Sequence, residues 1–594
     1  MDFLRDRGLP WEYDPGPPAN RQWARLFAET PNYRGLGRAL GGGEEFRWHF
    51  GPMFYRGRLT DNSARVLVIG QEGAQDESLG HRSFVGGTGA RMQNFLRHIG
   101  ITQSYLFLNT FVYPIFGQYT GAELLWLAQN TKSPIVKHRH ALWNYVRERT
   151  DLRLIVAVGK AAKESVHSWV KARGGACPSG AHDVSHCDAS VIGPHTRIVG
   201  VVHPGAGGQG TSTTTIIADF KKALTKIDGW VADDASWLPV DPGGTRAAAA
   251  TFRYRSAPIP FRDLPYGVAW RIGQGGTSSN RKDAQRSIQM FSEDGSYGGS
   301  SSYNGSAGGS NEGYAQEAGD LAYEPPKHSF GEFDAGPEPP LARLMMGGDP
   351  GLAWPDFTAL GATAHPSFGY GPIYRGRPSQ ARILVLADQE SHDDLFMFRA
   401  LTGDAGQRLQ QFLHAMGITA SYAILRVLPI DTLGLAPAKV EAIVDHAQVR
   451  QLYRAIVERI VTASSTAFAI VIGPYAQRLS EHVMPAGLAT VEMKAWTESG
   501  ALANWKQALQ QIKTKAYSKD VASPSFSWNG ERGQIPRADL PFGTLRWQAT
   551  SGDRGLRASS MNYYKVTMPT WAFQLAPAPL SDDELTAIED APHH

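Results

Sequence analysis

Residues 66–96 read VLVIGQEGAQDESLGHRSFVGGTGARMQNFL, and residues 383–413 read ILVLADQESHDDLFMFRALTGDAGQRLQQFL. The two align without a gap at a constant offset of 317. Each opens on a short apolar run and closes on apolar residues at helical spacing, which predicts strand, turn and helix. The apolar frame is kept in both, but GQEG in one is ADQE in the other.

The likeness extends outward in order. GPMFYRGR (51–58) answers GPIYRGR (371–377), and GITQSY (100–105) answers GITASY (417–422). LIVAVGKAA (154–162) answers FAIVIGPYA (468–476), and DLPYG (263–267) answers DLPFG (539–543). Matches in one order predict a duplicated unit. Between the copies lies a Gly/Ser/Asn/Tyr tract that buries too little apolar surface to offset chain entropy, so a flexible linker is expected at 274–336. The expected organisation is an N-terminal extension (1–45), a first domain (46–232), an extension with DLPYG (233–273), the linker, a second domain (337–520) and an extension with DLPFG (521–594).

Within the first unit, strands are expected at 64–70, 104–111, 152–159 and 197–202, with helices at 91–100, 140–150, 160–172 and 217–227. Strands this uniformly apolar belong to a parallel sheet covered on both faces. The predicted fold class is α/β: two tandem three-layer α/β/α sandwiches, each with a central four-stranded parallel sheet, and an intramolecular pairing of the two repeats in a monomer.

Composition narrows the setting. Among 594 residues 42% are hydrophobic and 19% charged, as in a globular protein. A net charge of +3 is too small to signal nucleic-acid binding in bulk, so any basic footprint must be local. No run of about 18 apolar residues suggests a membrane span. Two cysteines fit a reducing cytoplasm and exclude a disulfide framework.

Ligands of such sheets bind beyond the carboxyl ends of the strands. Gln71 and Glu72 follow strand one, Asn109 ends strand two, and His203 and Pro204 follow strand four. An acid, an amide and an imidazole thus converge on one rim. In the second unit Glu72 becomes Gln389, Phe84 becomes Leu401, Asn109 becomes Arg426, and the stretch around Lys494 and Ala495 replaces the HPG turn. Arg82, Gly86, Gly89 and Arg91 recur as Arg399, Gly403, Gly406 and Arg408. The frame persists while the reactive set has gone. The second copy is expected to support DNA binding or the fold, with Arg426 and Lys494 as its positive charges.

These segments resemble the uracil-DNA glycosylase superfamily over most of residues 50–227. GQEGA resembles its water-activating loop, written GQDPY in one branch and GEAPG in the iron–sulfur branch. GHRSFVGGTG resembles that second branch's GRPFVGxAG, LNTF the strand with the base-reading Asn, and VVHPG the HPS motif. The resemblance implies a DNA glycosylase acting on a flipped pyrimidine. Glu72 would position water and stabilise the oxocarbenium, Phe84 would stack on the base, Asn109 would read its edge, and His203 would bond the pyrimidine O2. Gln71, Gly73, Ala74, Pro204 and Gly205 would line the pocket. Two cysteines cannot supply the four ligands of an iron–sulfur cluster, and no cofactor is expected. Ala74 stands where the family's Tyr excludes 5-substituted pyrimidines, so an enlarged base such as glucosylated hydroxymethylcytosine of phage DNA is an expected substrate, with uracil repair and a non-catalytic DNA-binding module as the alternatives.

Two weaker signals remain. KSPIVKHRH (132–140) could contact phosphate through Lys132, Lys137 and Arg139, or simply start a solvated helix. CPSGAHDVSHC (177–187) matches no common zinc signature, and no metal is expected.

Overall fold

The structure, a computed structural model, describes residues 55–73, 80–112, 127–178, 183–257, 259–266, 333–347, 349–357, 374–390, 399–430 and 435–541, with shorter pieces elsewhere. Ala74, most of the N-terminal extension and most of the expected linker lie outside the described residues.

The first unit runs β1 (Arg56–Gly57), β2 (Val66–Gly70), α1 (Gly87–His98), β3 (Tyr105–Asn109), α2 (Pro134–Arg149), β4 (Leu154–Val158), α3 (Lys160–Ala172), β5 (Arg197–Val201) and α4 (Thr213–Asp233). The sheet order is β1-β3-β2-β4-β5. Strands β2 to β5 are parallel, as expected; β1 adds a short antiparallel edge. Alternation sends Val66 and Val68 of β2 to one face, against Phe95 of α1 and Phe220 of α4. Leu67 and Ile69 face the other way, toward Trp143 of α2 and Trp169 of α3. Both faces are covered, which is why the strands carry no polar side.

The second unit runs α5 (Pro339–Met345), β6 (Tyr374–Gly376), β7 (Ile383–Ala387), α6 (Asp404–Ala415), β8 (Tyr422–Arg426), α7 (Pro437–Val444), α8 (Ala447–Ser464), β9 (Phe468–Ile472), α9 (Pro474–Val483), β10 (Ala489–Met493) and α10 (Ala501–Lys513). Its sheet order, β10-β9-β7-β8-β6, is the first order read from the opposite edge.

The repeated motifs have shared buried tasks. Arg56 pairs with Asp263 of DLPYG at 2.7 Å and donates to Gln93 Oε1 at 2.9 Å. Arg375 pairs with Asp539 of DLPFG at 3.0 Å and donates to Gln410 Oε1 at 2.7 Å. Arg82 Nε and the Tyr55 hydroxyl both donate to Asp14, as Arg399 and Tyr374 donate to Asp334. Asp241 accepts three backbone N–H groups from 102–104, and Asp520 accepts three from 419–421, which explains the GITQSY and GITASY turns. The units also touch: Val85, Leu264 and Tyr266 share a core cluster with Leu341, Met345 and Tyr374.

Two expectations need correction. Cys177 and Cys187 are joined as a disulfide, with Cα atoms 4.2 Å apart, because the turn Val184–His186 folds the loop back on itself. Arg139 is buried on α2, where it donates to the Ala128 carbonyl and lies over the Trp143 ring, so it faces the core and not DNA. Lys132 and Lys137 are exposed, and Ser133 caps α2 through the Ile135 N–H. No described helix is long and apolar enough to cross a membrane.

Candidate active site

Four elements bring the site to the carboxyl rim of the first sheet. The ends of β2 and β3 are locked by backbone bonds: Thr110 N–H donates to the Gly70 carbonyl at 2.8 Å and Phe111 N–H to the Gln71 carbonyl at 2.9 Å. The Thr110 hydroxyl adds a second bond to Gly70 at 2.8 Å. Asn109 therefore sits directly beside the start of the GQEG turn.

Gly70 sets the floor. A Cβ there would lie 2.2 Å from Phe84 Cζ and 2.6 Å from Asn109 Oδ1. The Phe84 ring and the Asn109 amide thus meet above a residue that must lack a side chain. Phe84 has φ 58°, a left-handed conformation that a bulky residue adopts only when its surroundings impose it. They do so from three sides. A Cβ on Gly89 would lie 1.6 Å from the Phe84 carbonyl oxygen, so α1 can approach only because Gly89 is there. Glu77 Oε1 accepts the N–H groups of Val85 at 3.0 Å and Gly86 at 3.3 Å. The ring rests on Phe107, 5.0 Å between centroids, which Arg56 supports from behind.

Glu72 follows the floor. Gln71 Nε2 donates to its Oε1 at 3.3 Å, while Oε2 is out of solvent and has no partner among the described residues. The residue as a whole is half-buried; it is the carboxyl that is hidden. Burial pushes this carboxyl up to about 8, against the Gln71 hydrogen bond and with a smaller contribution from Glu77. Asn109 is 3% exposed, and its Nδ2 also lacks a partner. Buried polar atoms are normally paired, so two such atoms at one rim mark a candidate ligand site.

His203 caps the turn after β5. Its Nδ1 accepts the Gly205 N–H at 3.0 Å, which puts the proton of the neutral ring on Nε2. Burial lowers its basicity, and the Arg91 charge adds to this, bringing it to about 4. Gly159 permits the approach of Gln71 and His203: a Cβ there would lie 3.3 Å from His203 Cβ and 3.8 Å from Gln71 Oε1. Gly73 is buried in the same turn. The polar groups of the HPG turn face inward, since the Pro204 carbonyl accepts from Arg91 Nη1 at 3.0 Å and from the Tyr254 hydroxyl at 3.2 Å.

Several of these residues escape a reading of the sequence. Gly70 looks like the end of a strand, Glu77 like a solvated acid, and Tyr254 lies in an unremarked segment. Arg91 recurs in the second unit and reads as frame, yet it anchors the His203 turn. The position-by-position repeat is the one signal that could have raised Gly70, because Ala387 replaces it where Leu401 replaces Phe84.

The second unit uses the same positions for packing. Arg426 is buried and donates to the carbonyls of Leu428 at 3.3 Å and Ile430 at 2.6 Å, with Asp394 4.0 Å away. It is therefore an internal group, on the fold side of the two roles expected of the second copy. Asp388 accepts the N–H groups of Tyr475 and Ala476 at the start of α9, and Gln389 accepts the Thr432 N–H at 2.8 Å. Glu390 accepts the Trp496 N–H at 2.8 Å.

No curated protein matches the chain. Residues 57–222 match the family model described as Uracil DNA glycosylase superfamily, and that span contains Gln71, Glu72, Phe84, Asn109 and His203. The match supports membership of that superfamily for the part of the chain that carries the site.

Proposed function

We propose that the first unit is a DNA glycosylase that hydrolyses the N-glycosidic bond of a flipped-out pyrimidine and leaves an abasic site. The observation that carries this reading is the pair of buried atoms without a partner among the described residues, Glu72 Oε2 and Asn109 Nδ2, at the rim where the Asn109 amide meets the Phe84 ring. A base inside a duplex is out of reach, so it must enter a pocket with an aromatic wall and an edge-reading amide.

The residues divide the work by charge. As the C1′–N bond breaks, its electron pair leaves with the base and positive charge builds on the sugar. The ionised Glu72 faces that charge and takes a proton from the water that attacks C1′. The Nε2–H of His203 donates to the anion developing on the base. A neutral His suits this role, because a ring that titrates near 4 stays a fixed donor at neutral pH.

The base favoured by this reading is a 5-substituted pyrimidine, such as glucosylated hydroxymethylcytosine, removed in defence against phage. The support is the sequence of the GQEGA turn, where Gly73 has no side chain and Ala74 only a methyl group to guard the 5-position. Uracil removal in repair is the alternative substrate. The test is mass spectrometry of bases released from uracil-containing DNA and from phage DNA with modified cytosines, using the full chain. Release of the modified base alone supports the defence reading, and uracil alone supports repair. No release from either DNA would overturn the glycosylase reading.

A further inference from the structure

A second charged site lies on the outer edge of the first sheet. A cavity of about 220 Å³ is lined by Lys163 of α3, Gly200 of β5, Lys222 and Lys226 of α4, and Asp183 and Ser185 of the disulfide-closed loop. At ~30 Å³ per water, this holds a tetrahedral anion with room to spare. Gly200 admits the Lys163 stem, since a Cβ there would lie 2.7 Å from Lys163 Cε.

The carboxylates of the cavity are already engaged. Asp183 pairs with Lys226 at 3.1 Å and Lys222 at 3.8 Å. Asp219 Oδ2 accepts the Val202 N–H at 2.6 Å, one residue before His203. Lys163 is half-buried and makes no ion pair or hydrogen bond among the described residues. Burial depresses its ammonium below the ordinary lysine range, against the pull of the Asp219 and Asp183 carboxylates and with a smaller contribution from Lys222.

The second unit provides the control. Asn504 accepts the Lys494 N–H as Asp219 accepts that of Val202, and Trp505 packs on Phe412 as Phe220 packs on Phe95. By that alignment Lys222 and Lys226 become Gln507 and Gln511. Lys163, four residues after Gly159, becomes Gln477, four after Gly473. Gly200 becomes the exposed Glu492, because Val201 and Met493 hold the same place beside Val158 and Ile472. Three lysines are neutralised and an acid is added in the unit that lacks the reactive set. Lysines that merely guarded a sheet edge would serve both units equally well.

We propose that Lys163, Lys222 and Lys226 form a phosphate-binding site behind the His203 turn. The phosphate belongs to a DNA strand or to a free phosphate compound, and the chemistry of recognition is the same. Two titrations of the full chain and of the K163Q/K222Q/K226Q variant test it. One follows inorganic phosphate by calorimetry; the other follows a short single-stranded oligonucleotide across salt concentrations. The variant carries the second unit's own residues, and equal melting curves verify its fold. Saturable phosphate binding that is lost in the variant supports the site. A salt slope lowered by roughly 0.7 per engaged lysine identifies the DNA strand as the source. An unchanged slope with lost phosphate binding identifies a free phosphate. If neither phosphate binding nor the slope differs between the two proteins, the proposal fails. Both readouts are independent of base release.

Discussion

At the end of β2, Gly70 leaves room for the Phe84 ring and the Asn109 amide; at the end of β7, Ala387, Leu401 and Arg426 stand at those three positions, and Arg426 is buried against the carbonyls of Leu428 and Ile430. The same contrast runs through the acids. Glu72 keeps Oε2 unpartnered, whereas Asp388, Gln389 and Glu390 each accept backbone N–H groups. The first unit leaves Glu72 Oε2 and Asn109 Nδ2 desolvated and without a partner among the described residues, a cost of about 1–3 kcal/mol each that a hydrogen-bonding ligand would relieve. In the other, the acids and the amide of the corresponding turn accept backbone N–H groups of their own fold. A frame of buried Arg–Asp pairs is common to both, so it holds the sandwich and does not select the chemistry.

The sharpest way to break the comparison is Glu72→Gln, which places in the first unit the residue that the second has. Base release should fall by roughly a hundred- to ten-thousandfold, read as alkali-labile strands. The variant should also be more stable at neutral pH. The folded Glu72 carboxyl binds its proton up to about 8, the unfolded one only to the ordinary range, so stability falls as pH rises between them. Removing the group should recover on the order of 1 kcal/mol after allowance for partial exposure, seen in urea melts at pH 7.5. By the same sign, kcat/KM of the intact protein should climb as pH passes through about 8. A flat profile would show that Glu72 is ionised in the free protein and that burial has been overrated.

The common frame predicts equality where the sites predict difference. Asp263→Asn and Asp539→Asn each strand a buried arginine and should each cost about 3–5 kcal/mol in denaturant melts. Activity should nevertheless suffer more from Asp263→Asn. Arg56 also donates to the Ser83 carbonyl at 3.2 Å, one residue before Phe84, the proposed aromatic wall of the pocket. Equal loss of activity in the two variants would mean that the second unit contributes to catalysis directly.

The smallest expected effect concerns the floor. Gly70→Ala should destabilise by ~1–3 kcal/mol through overpacking against Phe84. Adding Phe84→Leu should restore most of that stability without restoring activity, because the pair then matches Ala387 and Leu401. Recovery of activity in the double variant would remove Phe84 from base stacking.

Much of this was legible in the chain. The parallel strands, their order of motifs and the convergence of Glu72, Asn109 and His203 on one rim follow from apolar runs ending at polar residues. The roles of DLPYG and of Arg91 were not legible, because their partners lie far away in sequence. Asp263 meets Arg56 across 207 positions, and Arg91 meets Pro204 across 113. Arg139 misled for a related reason: a cation reads as surface until the carbonyls that surround it are known. The disulfide was hidden as well, since spacing alone does not say that a loop turns back.

By itself, then, the sequence determined the α/β alternation, the internal likeness of the two segments and the candidate site residues at the strand ends, because these depend on local periodicity and on side-chain chemistry. The tertiary structure decided which polar atoms are left unpaired, which glycines make room for an aromatic ring, and which lysines gather at one edge. Those are properties of packed surfaces, and they arise only when segments distant in the chain are brought within a few ångströms of each other.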